Sequence, residues 1–235
     1  MTVNEIMAEL QVMGSESIKK ILLKHGVKEP FFGVKVEQLK TIQKKVKTNY
    51  QLAKDLYATG NADAQYLAGL IADDAKMTKA DLRAWAGQAL SDNISGNTVP
   101  WVAAESNYGY EMGMEWIAND QEYIAVAGWA TISALVSLKP DDELDFAALT
   151  ALLDKVEKTI HTSPNRVRGA MNNFIISVGS YVAPLSEKAI AVAKAIGPVT
   201  VIKEGTACKT PAAVEYIEKA KSRGSLGKKK KTVKC

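Results

Sequence analysis

DDELDFAALTALLDKVEKTIHTSPNRVRGAMNNFIISVGS, residues 141–180, carries two helical periods separated by a short break. In the first half Phe146, Leu149, Leu152, Leu153, Val156 and Ile160 recur at spacings of three and four, so they share one stripe of a helix over 142–160. Ser163 and Pro164 open a second helix, because proline brings a helical φ to a first turn whose N–H groups are unused. That helix runs through Met171, Phe174, Ile175 and Val178. Helices joined by so few residues pack as antiparallel neighbours and bury their stripes together.

The pattern extends outward from this pair. Val3, Ile6, Met7 and Leu10 predict a helix over 2–13, and Ser15 or Ser17 caps a second that ends near Gly26. Pro30 and Gly33 then interrupt, with Phe31 and Phe32 anchoring the turn in the core. Helix resumes near Lys35, and again over 50–59, 62–73 and from the cap Thr78 to Leu90. After a looser stretch at 91–101 come helices over 110–119 and 121–138, the latter stopped by Pro140. Helices over 185–196 and 210–222 complete the body. The short runs 99–103 and 199–202 are isolated and read as loop or helix end. About a dozen helices with short turns exceed what one bundle needs, whereas stacked pairs bury each pair's open face on the next. The expectation is an all-α, HEAT-like or armadillo-like solenoid of antiparallel helix pairs, its divergent repeats roughly 40 residues long. It forms one domain over 1–222, followed by a basic, solvated tail over 223–235.

Composition narrows the function only by exclusion. The chain of 235 residues is 47% hydrophobic and 24% charged, as ordinary globular proteins are. Its net charge of +4 is carried largely by Lys228, Lys229, Lys230, Lys231 and Lys234, so a nucleic-acid reading has to rest on where the other cations cluster. Two cysteines, Cys208 and Cys235, make no disulfide framework, and no segment approaches the roughly 20 apolar residues of a membrane span. A cytoplasmic protein is expected. No phosphate-cradling glycine loop, nucleophile elbow or zinc-protease motif occurs. His25 and His161 fall near helix C-termini, where histidine serves the last carbonyls, so neither a metal nor a cofactor is expected.

Three stretches carry chemistry. In SPNRVRGAMNNF, 163–174, Arg166 and Arg168 occupy first turns, where the helix dipole disfavours cations, and Asn172 and Asn173 sit mid-helix. Either they make inter-helix contacts, or they form a polar cleft for phosphate and base edges. In SDNISGNTVPWVAAESNYGY, 91–110, Trp101, Tyr108 and Tyr110 rim a polar break, suited to stacking a base or simply to plugging the core. In EGTACKTP, 204–211, Thr206 caps a turn, Pro211 starts a helix, and Cys208 beside Lys209 has either a lowered thiol pKa or a plain packing role. Lys228, Lys229, Lys230 and Lys231 would hold any polyanion in a salt-dependent way.

PFFGVKVEQLKTI (30–42), KDLYATGNADAQYLAGLI (54–71), EWIANDQEYIAVAGWATISAL (115–135) and RVRGAMNNFIISVG (166–179) resemble the bacterial DNA alkylation repair family over residues 20–195. The resemblance implies a superhelical HEAT-like stack whose basic concave face holds duplex DNA, and in active members a glycosylase that removes cationic alkylated purines. Those members carry a tryptophan and, four residues later, an aspartate in the segment matching 91–101. Here the pair becomes Ile94 and Thr98 in one alignment, or Asp92 and Gly96 in the other. A DNA-facing arginine falls near Val126, and a second cleft tryptophan near Asn173. Cleavage of a glycosidic bond builds positive charge on the sugar, which a buried carboxylate stabilises. Asp92 and Glu105 are the nearby candidates for that carboxylate.

Three functions follow from these residues. The first is a monomer that binds damaged or branched duplex DNA without catalysis, using Arg166, Arg168, Asn172, Asn173, Trp101, Lys209 and the lysines 228–231. The second is an active glycosylase using Asp92 or Glu105. The third is a protein-interaction scaffold.

Overall fold

A computed structural model of the chain describes residues 1–89, 91–202 and 209–234. Thirteen α-helices and no strand occur among them. The helices are α1 (Val3–Met13), α2 (Glu16–Lys24), α3 (Val36–Val46), α4 (Tyr50–Tyr57), α5 (Ala62–Ile71), α6 (Lys79–Gln88) and α7 (Val99–Glu105). They continue with α8 (Gly109–Ile117), α9 (Glu122–Leu138), α10 (Phe146–Thr159), α11 (Asn165–Tyr181), α12 (Ser186–Ile196) and α13 (Ala213–Ser222). The expected all-α class therefore holds. Local signals set many boundaries: Thr78 and Asp81 form a reciprocal capping box at the start of α6, and Pro140 follows the end of α9. Pro164 stands one residue earlier than expected, at the N-cap of α11, where its carbonyl accepts from the Arg168 N–H at 3.0 Å.

The chain divides into two compact units. The first comprises, among the described residues, Met1–Tyr108 and Lys234; the second comprises Gly109–Ile202 and 209–233. In the first, α5 is buried along its whole length and packs against α3, α4 and α7. Tyr57 stacks on Trp85 with ring centroids 4.0 Å apart, and its hydroxyl donates to the Trp85 carbonyl at 2.8 Å. Asp63, in the first turn of α5, accepts the N–H groups of Phe32, Gly33 and Val34 at 2.6, 3.0 and 3.2 Å. Burial pushes the Asp63 pKa up while those three amides pull it down. Gly33 in that loop has φ +81°, and a β-carbon there would lie 2.7 Å from the Lys19 nitrogen and the Ser15 carbonyl oxygen. The PFFGV interruption is thus a clamped turn that holds α2, α3 and α5 in register.

The second unit is built around α9 and α11, each packed on the other, with α8, α12 and α13 alongside. Trp129 and Phe174 meet at 5.2 Å in its core. Gly128 lets α9 cross α8 closely: a β-carbon there would lie 2.4 Å from the Ile117 nitrogen, and backbone cannot move aside as a side chain can.

Candidate nucleic-acid interface

Helix α11 separates the four residues that its sequence groups together. Asn172 is 2% exposed, and its Nδ2 donates to the Pro211 carbonyl at 3.0 Å, so it ties the segment carrying Lys209 to the helix. Asn173 is exposed, as is Lys209. Arg166 lies seven residues before Asn173, about two turns, and so shares its face. Arg168 lies two residues on from Arg166, roughly 200° around the axis.

Each arginine is positioned by a neighbour. The Arg166 guanidinium lies over the Tyr123 ring, 5.4 Å from its centroid, and the Arg166 N–H donates to Glu122 Oε1 at 2.7 Å. Glu122 thereby places a carboxylate at the N-terminus of α11 and offsets the dipole that makes cations unfavourable there. Arg168 Nη2 donates to Asn165 Oδ1 at 3.3 Å, and Arg168 Nε is buried without a hydrogen-bond partner. Asn165 in turn holds Ile202 through both backbone groups, at 2.8 and 2.7 Å. Nothing local in the sequence marks Glu122 or Tyr123 for these roles, or Asn165 for its hold on Ile202, since each acts on a residue brought in by folding.

The stretch 91–101 is helical rather than loose. A π-helical turn over Ile94–Thr98, closed by Val99 N–H to the Ile94 carbonyl, runs straight into α7. Ile94 and Thr98 are both 0% exposed. The Thr98 methyl fills the space beside Gly69, where a β-carbon would come within 2.4 Å of it, and its hydroxyl is buried without a partner. Asp92 and Gly96, the other possible matches, are half-buried. Val126 is in the core. Trp101 is half-buried with its ring edge-on to Tyr66 at 5.3 Å, a core-plugging contact, and Tyr108 lies under Lys79 Nζ at 5.3 Å. Tyr110 is 47% exposed.

Asp92 and Glu105 are not brought together. They lie thirteen residues apart along continuous helix, about 20 Å. Glu105 instead belongs to an acidic group with Asp73 and Asp74. Burial is the main cause that raises the Asp74 pKa to about 6; Lys234 opposes the rise, and Glu105 and Asp73 add to it. Among the described residues no cluster of three His, Cys, Asp or Glu side chains could hold a metal ion. Thr206 and Cys208 lie outside the described residues.

The C-terminal lysines depart furthest from expectation. Lys229 Nζ donates to the carbonyls of Val136 at 2.9 Å and Tyr181 at 2.7 Å, and lies 2.8 Å from Asp141 Oδ1 as an ion pair. Lys230 N–H donates to the Ser137 carbonyl, Gly227 N–H to that of Ser180, and Lys230 Nζ rests over Tyr181 at 5.3 Å. These carbonyls belong to the last turns of α9 and α11, which helices leave without internal partners. In the first unit Lys234 Nζ reaches the Ala72 carbonyl and both Asp74 oxygens, at 3.3, 2.8 and 2.7 Å. Lys229 and Lys234 thus cap helix ends, their ammonium groups satisfying carbonyls that water would otherwise have to reach. Lys228 and Lys231 remain exposed. His161 behaves similarly: its Nε2 bonds the carbonyl of Ile196, the last residue of α12, at 2.8 Å.

Comparison with known proteins adds three findings. Residues 6–216 match the model of a family described as DNA alkylation repair enzyme. Two uncharacterized proteins, Lin0241 of Listeria innocua and Lmo0209 of Listeria monocytogenes, are 31% and 32% identical to the chain over 228 residues, covering 94% of it and 98% of each relative. A solved structure described as "a new family of proteins related to the HEAT-like repeat DNA glycosylases with affinity for branched DNA structures" matches with a TM-score of 0.92 and 39% identity over 100% of both chains. The HEAT-like repeat class expected from the helix pattern is therefore shown.

Proposed function

We propose, from the premise that this chain belongs to the DNA alkylation repair enzyme family, that it binds distorted or branched duplex DNA through the phosphate backbone and excises no base. The observation that carries this reading is the burial of Ile94 and Thr98. A glycosylase of this kind needs a carboxylate facing the sugar at the moment charge develops. In one alignment the matching positions are Ile94 and Thr98, which the π-turn buries in the core; in the other they are Asp92 and Gly96, half-buried in the same stretch, and Glu105 lies among other acids beside Asp74. What remains suited to DNA is cationic and amidic. Arg166, steadied on Tyr123, suits bidentate phosphate contact, with exposed Asn173 and Lys209 as further donors. The branched-DNA affinity ascribed to the matching solved structure supports distortion, rather than a particular lesion, as the feature recognised. On this reading the protein works as a cytoplasmic monomer and needs no cofactor.

The test is to incubate the purified protein with methylated duplex DNA and score released bases. Binding to linear duplex and to a four-way junction is titrated in parallel at two salt concentrations. Salt-sensitive binding, tighter to the junction and without base release, is expected. Base release that is lost in Asp92→Asn or Glu105→Gln would restore the glycosylase reading. No binding to either DNA would leave the interaction-scaffold reading.

A further inference from the structure

Helix α3 ends on an unusual residue. Among the described residues six glycines, Gly26, Gly33, Gly60, Gly197, Gly224 and Gly227, adopt positive φ, and one other residue does: Lys47, at φ 56°. Lys47 is the C-cap of α3, with ψ −154°, and its N–H is fixed on the Gln43 carbonyl at 2.7 Å. Two residues on, Asn49 anchors the turn through its N–H to the Ile71 carbonyl and its Oδ1 to the Leu52 N–H. A β-carbon is strained in this conformation, and glycine is the ordinary solution. A lysine kept there retains an ammonium group that glycine would not supply, and strain of this kind concentrates at functional positions.

That ammonium has company. Lys40, Lys44 and Lys47 are spaced four and three residues apart, so they line one face of α3 and its cap, and Lys44 and Lys47 are exposed. Neighbouring Lys45 is drawn off to Glu9 at 2.6 Å, whereas no carboxylate pairs with the other three among the described residues. Like charges at this spacing repel each other. The helix dipole accounts for cations in the last turn but not for lysine in place of glycine at 47. Along the axis the three span about 10 Å, the length of about three base-pair steps of 3.4 Å.

We propose that Lys40, Lys44 and Lys47 form a phosphate-binding stripe in the first unit, a contact surface for the DNA backbone additional to the α11 face of the second. The stripe rests on the DNA-binding reading above and adds to it where the chain holds on. Its test is the salt dependence of duplex binding for the wild type, the triple Lys→Gln variant, the triple Lys→Arg variant and Lys47→Gly. With about 0.9 units of log–log slope per phosphate contact, the triple glutamine variant loses about 2 to 3 units of slope and at least tenfold in affinity at low salt, with its melting temperature unchanged. The arginine variant keeps the wild-type slope. Lys47→Gly loses about one unit of slope while melting about 2–4 °C higher, since the strain is relieved. Wild-type slope in the triple glutamine variant overturns the stripe and leaves the proposed function standing. Absence of salt-sensitive binding by the wild type overturns both.

Discussion

Lysines 40–47, four in number, and 228–234, five in number, are both strongly basic on paper, and folding gives them opposite employment. The C-terminal set looks like the polyanion-binding element, four in a row beyond the last helix. Yet Lys229 and Lys234 spend their charge on the helix-terminal carbonyls of α9, α11 and the end of α5, and on Asp141 and Asp74. The α3 set looks like the ordinary polar face of an amphipathic helix. It nevertheless leaves Lys40, Lys44 and Lys47 without carboxylate partners among the described residues, one of them in a conformation glycine would fill more comfortably. A lysine run is thus a weak sign of a nucleic-acid surface; what counts is whether its ammonium groups are already committed inside the protein.

The sharpest way to break this contrast is to remove Lys229. Lys229→Met strands two helix-terminal carbonyls and Asp141 in a site where the lysine side chain is only 18% exposed. The expected loss is about 3 kcal/mol of stability, read as a lower midpoint in urea unfolding, with the slope of DNA binding against salt unchanged. If stability holds and the salt slope falls, Lys229 is a phosphate contact after all and the two lysine sets do not differ.

Lys234 gives a smaller, pH-dependent effect. Asp74 has its folded pKa raised from 3.8 to about 6, so the folded state binds this proton more tightly than the unfolded chain does. Stability from this group is therefore greatest below pH 3.8 and falls as pH rises to about 6 and the buried carboxyl ionises. Lys234 limits that loss by pairing with the ionised form. Lys234→Met is expected to unfold more easily than the wild type above pH 6, with the difference shrinking toward pH 4, as thermal melts across that range would show. A pH-independent difference would mean that Lys234 acts only through the Ala72 carbonyl.

These contrasts also mark how far the sequence could be read. The helices were legible because their signals are local: the stripe of α10, the Thr78 box and Pro140 each lie within a few residues of what they control. The break at 91–101 was misleading because its polar Ser95 and Thr98 are buried in a π-turn, and Pro100 is tolerated at the start of α7, where its missing N–H is not needed. Asn172 and Asn173 are indistinguishable as letters, and only the fold sends one to Pro211 and the other to solvent. Lys229 lies 93 residues from Val136, a separation no periodicity reports. PFFGV and the segment around Gly128 shape the fold itself: Asp63 clamps the first, and the second lets α9 approach α8.

The smallest effect sharpens the comparison from inside the C-terminal segment. Lys228 and Lys231 are exposed, as is Lys230, whereas their neighbour Lys229 is half-buried. If commitment within the fold decides a lysine's role, these two should behave like the α3 stripe and unlike their own neighbour. Lys228→Gln combined with Lys231→Gln is expected to leave the melting temperature unchanged and to lower the salt slope by at most about 2 units, one per phosphate. A variant that melts lower would instead make the whole run a structural cap. The DNA contacts would then rest on α3, α11 and Lys209.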